Sequence, residues 1–168
     1  MLSRRQLRIK VLQALYSFFQ SGKADLKSAE QELFRSIEKV IELYYLLVLF
    51  ITDLAHDDLL DEEDVHRKYF PGKEELHAKR RLYKTAFLQA IESSATFRNK
   101  VKEYRLSWSA DQDLVRKIFL ELKKSELYLK FISADHAVEK DFLTEMTRTC
   151  IENSDAVRTN LSERSIYW

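Results

Sequence analysis

Turn-forming residues are nearly missing from this chain: its 168 residues include two glycines and one proline. Hairpin turns rely on Gly, Asn and Asp at positive φ, and a sheet protein of this length needs many of them. Long helices joined by few connections need far fewer, so the scarcity predicts an all-α fold. A single cysteine, Cys150, excludes an internal disulfide and fits a reducing compartment. It lies between Thr149 and Ile151 with no histidine nearby, which reads as a small core residue rather than a nucleophile. The longest apolar run is Leu43 to Ile51, well short of the roughly 20 residues that span a bilayer. The amino-terminal stretch mixes polar and charged residues into its apolar positions, unlike a secretory signal. A cytoplasmic protein with no membrane partner is the expectation by elimination.

Signs of catalysis are lacking too. Gly22 and Gly72 are isolated, so no glycine-rich loop can cradle a phosphate. No spacing ties Ser, His and Asp into a triad. The segment His56-Asp57-Asp58, continued by Asp61, Glu62, Glu63 and Asp64, has no glycine for the sharp turn of a hard-cation loop. His56 and His66 are too far apart for the i, i+4 pairing of a helical zinc site. The segment reads as a solvated acidic face. No enzyme, no cofactor and no metal are therefore expected.

What is present is a globular balance, with 45% hydrophobic and 33% charged residues, sized for one domain over 1–168. A helical bundle of five to seven helices is predicted. Ser3 and Gln6 form a capping box that opens a helix ending near Gly22. Leu7, Val11, Ala14, Leu15 and Phe18 recur at helical spacing as its buried stripe, widened by Leu12 and Phe19. Asp25 caps a second element covering 26–69, either one long helix or two with a soft break around His56 to Asp61. Its predicted buried face is Leu33, Ile37, Val40, Ile41, Tyr44, Leu47, Val48 and Ile51. Pro71-Gly72 is the one strong turn signal and marks a soft boundary. Beyond it come helices from residue 73 or 74 to about 93, over about 95–105, from Ser109 to about Phe131, from Ser133 to about Glu152, and over 155–163. The predicted core positions there are Leu76, Tyr83, Phe87, Leu88 and Ile91, then Leu114, Ile118, Leu122 and Leu129, then Val138, Phe142, Met146 and Cys150. The aromatic ending Ile166-Tyr167-Trp168 suggests a docking tail or a chain cut before its next element.

The net charge of +1 hides a segregated distribution. Residues 1–24 carry Arg4, Arg5, Arg8, Lys10 and Lys23 with no acid, whereas 25–65 balance to −9. Residues 66–108 balance to +7 and 109–168 to −2. Local basic surfaces of this kind can take a polyanion. In the stretch 79–108, Lys79, Arg80, Arg81 and Lys84 interleave with aromatics such as Tyr83 and Trp108. Two readings stay open: phosphate contact with base stacking, or aromatics facing the core while the cations pair with the acidic 25–65 segment.

The first helix is more informative. At about 100° per residue, Arg4 and Arg8 share the side of the apolar stripe, one and two turns before its centre. Arg5 sits on an adjoining face and Lys10 well around the helix. Arginines held beyond a core, with no acid nearby, form a phosphate-binding device.

These same residues carry a resemblance. Arg4-Arg5-Gln6-Leu7-Arg8 followed by Val11-Leu12-Gln13-Ala14-Leu15-Tyr16-Ser17 resembles the opening of the transcription antitermination factor NusB family. Ser36-Ile37-Glu38-Lys39, leading into a Tyr/Leu-rich helix, and the ending Ser165-Ile166-Tyr167-Trp168 look like the amino-terminal half of a long-form subfamily. The resemblance implies an all-α, non-enzymatic factor that binds boxA-like RNA together with a NusE-type small-subunit ribosomal protein. It implies RNA contact by Arg4, Arg5 and Arg8; Lys10 joins this expected set on its charge, and Lys79, Arg80, Arg81 and Lys84 are a secondary basic patch read from composition. Gln6 stands where an arginine is common in the family, and the family's carboxy-terminal signature helices are absent. The alternative function is a helical protein–protein module without RNA binding, docking on a partner or forming a homodimer, motivated by eight tyrosines and ten phenylalanines.

Overall fold

A computed structural model describes residues 3–22, 25–67, 80–134 and 139–168. Among them are eight α-helices and no strand, one helix more than the upper expectation. They are α1 (Arg4–Gln20), α2 (Leu26–Arg67), α3 (Ala86–Ser93), α4 (Ala95–Glu103), α5 (Gln112–Lys124), α6 (Glu126–Ser133), α7 (Glu139–Thr147) and α8 (Asp155–Arg164). Short 3-10 turns at Leu82–Lys84 and Ser109–Asp111 and a π-helical segment at Arg148–Glu152 complete the order. No described helix is long and apolar enough to cross a membrane. The turn at 71–72 lies outside the described residues, as do Leu76, Val138 and the expected helix start at 73–74.

Serine caps punctuate the helices where glycine and proline are scarce. Ser3, Ser94 and Ser125 each accept a backbone N–H from the residue three positions on, which satisfies a donor the first turn leaves orphaned. Asp25 does the same for α2, accepting from the Lys27 N–H at 3.1 Å. Ser125 also corrects an expectation: the helix predicted from Ser109 to Phe131 is a 3-10 turn and two α-helices, because Ser125 takes an extended ψ of 147° to cap α6. Gly22, at φ 61°, ends the first helical segment in the left-handed conformation.

Two compact units divide the chain: Met1–Tyr44 with Ser162–Trp168, and Tyr45–Leu161. The larger unit has a dense core. From α2 come Leu46, Phe50, Leu54, Ala55 and Val65; Trp108, Phe119, Tyr128, Phe131, Phe142, Met146, Cys150 and Val157 close over them. Phe131 stacks on Phe142 with ring centres 3.8 Å apart, and the Trp108 indole lies 4.9 Å from Phe50 and donates to the Leu46 carbonyl at 3.0 Å. The buried stripe of α2 is therefore not the predicted one. Leu47, Val48 and Ile51 are only half-buried, and Ile41 and Tyr44 are exposed. The run Leu43 to Ile51 is apolar on every side, so its periodicity could not choose a face, and the Trp108 partner chose Leu46 and Phe50 instead. Phe87 and Leu129 are likewise exposed, while Ile118, Leu122 and Leu88 are buried as expected.

The smaller unit contains no buried residue among those described. In α1 only Lys10, Ala14 and Phe18 are half-buried. The predicted stripe is otherwise open to water, with Leu7, Val11 and Leu15 between 37% and 47% exposed and Leu12 and Phe19 at 68% and 75%. The edge that packs is defined by every fourth residue from Lys10, rotated about 60° from the centre of the predicted stripe. The carboxy-terminal tail docks within this unit: the Trp168 indole donates to the Lys39 carbonyl at 2.9 Å, and the Tyr167 hydroxyl donates to Glu32.

Candidate nucleic-acid interface

The amino end of α1 is built by its cap. The Ser3 hydroxyl accepts from the Gln6 N–H at 3.2 Å, and the Gln6 side-chain carbonyl accepts from the Ser3 N–H at 2.8 Å. A glutamate commonly closes this box. Gln6 closes it without a negative charge, and no acid occupies the first turn. The arginines on that turn thus sit near the positive pole of the helix dipole with no acid of the same turn to neutralise them, an arrangement that costs helix stability and favours an incoming anion.

Arg4, Arg5 and Arg8 are all exposed and meet no carboxylate among the described residues. Other arginines of the chain are engaged: Arg35 pairs with Glu32, Arg67 with Glu63, Arg116 with Asp57, Arg148 with Glu145 and Arg158 with Asp155. Around the helix, Arg4, Arg8 and Arg5 span about 100° of arc, so one extended phosphate chain can reach all three. Lys10 does not join them. It is half-buried and its ammonium donates to the Tyr167 carbonyl at 2.8 Å, apart from the three exposed arginines. Its place on the packing edge is the reason.

The secondary patch is also corrected. Lys79 lies outside the described residues. The Arg80 backbone N–H donates to the Ile132 carbonyl at 3.3 Å. Arg81 is 4% exposed and faces Asp58, Asp61 and Glu62 at 3.4 to 3.8 Å. Lys84 pairs with Glu62 at 3.1 Å, and Tyr83 donates its hydroxyl to the same carboxylate. Arg81 and Lys84 thus face the carboxylates of the acidic half of α2.

The acidic segment is a solvated face only in part: His56, Glu63 and Asp64 are exposed, whereas Asp58 and Asp61 belong to the core. Asp58 is fully buried and accepts from the Leu82 N–H at 2.6 Å, from the Tyr128 hydroxyl and from Arg81. Burial pushes its carboxyl up, opposed by the Tyr128 hydrogen bond, the Arg81 charge and the Leu82 amide. Asp61, nearly buried, accepts from Lys123 at 2.8 Å. The one signal in the sequence that separates these two aspartates from their exposed neighbours Glu63 and Asp64 is helical spacing: Asp58 lies four residues after Leu54 and eight after Phe50, and Asp61 lies seven after Leu54 and four before Val65. Among the described residues no three His, Cys, Asp or Glu side chains converge as a metal site would require.

A cleft of about 640 Å³ on the larger unit is lined by Asp53, His56, Asp57, Asp64, Gln112 and Arg116, among others. Burial raises the Asp53 carboxyl to about 6, helped by Asp57 and opposed by His56. Cys150 lies in the core, where burial and the Glu121 charge push its thiol up to about 11. No protein-family model, no curated protein and no solved structure matches this chain.

Proposed function

We propose that this chain is a non-enzymatic RNA-binding factor of transcription elongation, of the NusB antitermination type. It grips boxA-like RNA through Arg4, Arg5 and Arg8, with a NusE-type small-subunit ribosomal protein as the partner that the same resemblance implies. The observation that carries the reading is the contrast among its arginines: those on α1 are exposed and meet no carboxylate among the described residues, while those on the other described helices are mostly paired. A guanidinium holds a phosphate by two parallel hydrogen bonds, which fixes geometry as well as charge.

The test is a titration of a boxA-like RNA at several salt concentrations against the wild-type chain and the Arg4→Ala/Arg5→Ala/Arg8→Ala variant. Single-stranded contacts contribute about 0.7 each to the salt slope, so the variant should lose roughly two units of slope and more than about tenfold in affinity. Helix content by circular dichroism should not change, because the three heads are in water. Lysine replacements should restore much of the slope and less of the affinity. Lys10→Ala should leave the slope as it is, since its ammonium is held by Tyr167. Equal slope and affinity for wild type and triple variant refute the reading.

A further inference from the structure

Three helices of the larger unit build a groove that the proposed RNA surface does not use. Lys140, Leu143, Thr147 and Arg148 recur at helical spacing, so one side of α7 and of its π-helical continuation forms a wall. Ile51 of α2 and Phe87 of α3 line the rest, and the cavity holds about 620 Å³. The walls are fixed from behind, since Phe142 and Met146 anchor another side of α7 in the core and Leu88 anchors α3. Thr85 gives α3 no side-chain cap; the Glu139 carboxylate accepts the Ala86 N–H at 3.1 Å instead, which ties α3 to α7. The apolar lining is open to water: Phe87 is 51% exposed, and Ile51 and Leu143 are half-buried. Thr144 and Thr147 turn their hydroxyls back onto the Lys140 and Leu143 carbonyls at 2.8 and 2.7 Å, which engages their polar atoms within the helix.

Charge decides what such a groove would take. Three of the four charged side chains in its lining are already engaged: Glu139 with the Ala86 amide, and Arg148 with Glu152 at 3.9 Å as well as with Glu145 at 2.7 Å. The fourth, Lys140, is exposed and meets no carboxylate among the described residues. We infer that the groove binds a linear amphiphile with one anionic head, a fatty carboxylate whose head pairs with Lys140 and whose chain lies over Leu143, Phe87 and Ile51. Length fits this ligand. At 1.5 Å rise per residue Lys140 lies about 11 Å from Thr147, the reach of roughly eight to ten extended carbons. Size separates it from a protein partner. At ~200 Å² per ring, Phe87 leaves about 100 Å² in water, and Ile51 and Leu143 bring the apolar lining to on the order of 200 Å². A standard protein interface needs roughly 800 Å² per partner, whereas small-molecule pockets measure roughly 300–1,000 Å³. A π-helical turn in the wall is a further mark, because such turns recur at functional sites.

Isothermal titration of the full chain with octanoate, decanoate, decan-1-ol and decylammonium, all below their micelle concentrations, tests this. Decanoate should bind with one site per chain. Going from octanoate to decanoate should tighten binding by roughly fourfold, because the open groove covers one side of each methylene. Lys140→Met should weaken decanoate by roughly threefold or more and abolish its preference over decan-1-ol, while Lys140→Arg keeps both. Phe87→Ser should weaken all chain lengths by at least roughly fivefold with unchanged helix content, since the ring is half in water. Leu12→Glu/Phe19→Glu, which alters the exposed apolar side chains of α1, should bind decanoate as the wild type does. Absence of decanoate binding, equal binding of decylammonium, or an unchanged affinity in the folded Phe87→Ser chain overturns the proposal. Co-sedimentation with phosphatidylglycerol vesicles that Lys140→Met abolishes would assign a membrane lipid and overturn the free acid.

Discussion

Removing the Asp58 carboxylate tests how the larger unit is held together. The side chain is completely buried and terminates three donors at once: the Leu82 amide at 2.6 Å, the Tyr128 hydroxyl and the Arg81 guanidinium at 3.4 Å. Asp58→Ala leaves Arg81 with Asp61 and Glu62, both at 3.8 Å, and leaves the amide and the hydroxyl with no acceptor in a dry site. Breaking a buried ion pair from one side costs about 3–5 kcal/mol, and each orphaned neutral donor adds about 1–3 kcal/mol, less than additively in a shared network. A total near 4 kcal/mol is expected, a large part of the roughly 5–15 kcal/mol that a domain has in all. Urea unfolding followed by tryptophan fluorescence measures it, in a Trp168→Phe background so that the buried Trp108 is the reporter. At a slope of about 2 kcal/mol/M the midpoint should fall by about 2 M. Asp58→Leu combined with Arg81→Met should recover most of the loss, because apolar groups of similar size need no counter-ion. A cost below about 1 kcal/mol for Asp58→Ala would show that the network is a passenger of the apolar core.

Asp53 sets a pH dependence of opposite sign to the usual carboxylate. The unfolded chain releases its proton near 3.8 and the folded one near 6, so the folded state holds an extra proton between these values and stability falls as pH rises from 4 to 6. At 1.36 kcal/mol per unit the loss is up to about 3 kcal/mol, and Asp53→Asn should recover it at pH 7 while flattening the profile; thermal melts across that window read both, and an unchanged profile refutes the assignment. Cys150 should resist a thiol reagent in the native protein at pH 8 and react fully in denaturant, because burial removes both access and thiolate; rapid native labelling would contradict its place in the core.

The sequence by itself determined the all-helical class and several helix ends, though not the break at Ser125. Few turn residues, the Ser3–Gln6 box, the Asp25 cap and the spacing of Phe142, Met146 and Cys150 are local signals, carried by hydrogen bonds and periodicity within a few residues. The exposed arginines of α1 were legible for the same reason, since no acid precedes Asp25. Tertiary structure decided which face of each helix is covered. Leu43 to Ile51 is apolar all round, and only the Trp108 contact selects Leu46 and Phe50. Lys10 looked like a member of the basic cluster until the Tyr167 carbonyl claimed it across 157 positions of sequence. Asp58 looked like one of several surface acids, and it became the acceptor at the centre of a core because Arg81, Leu82 and Tyr128 arrive from 23, 24 and 70 residues away. Spacing records the shape of one helix, whereas burial depends on which distant groups arrive to cover it.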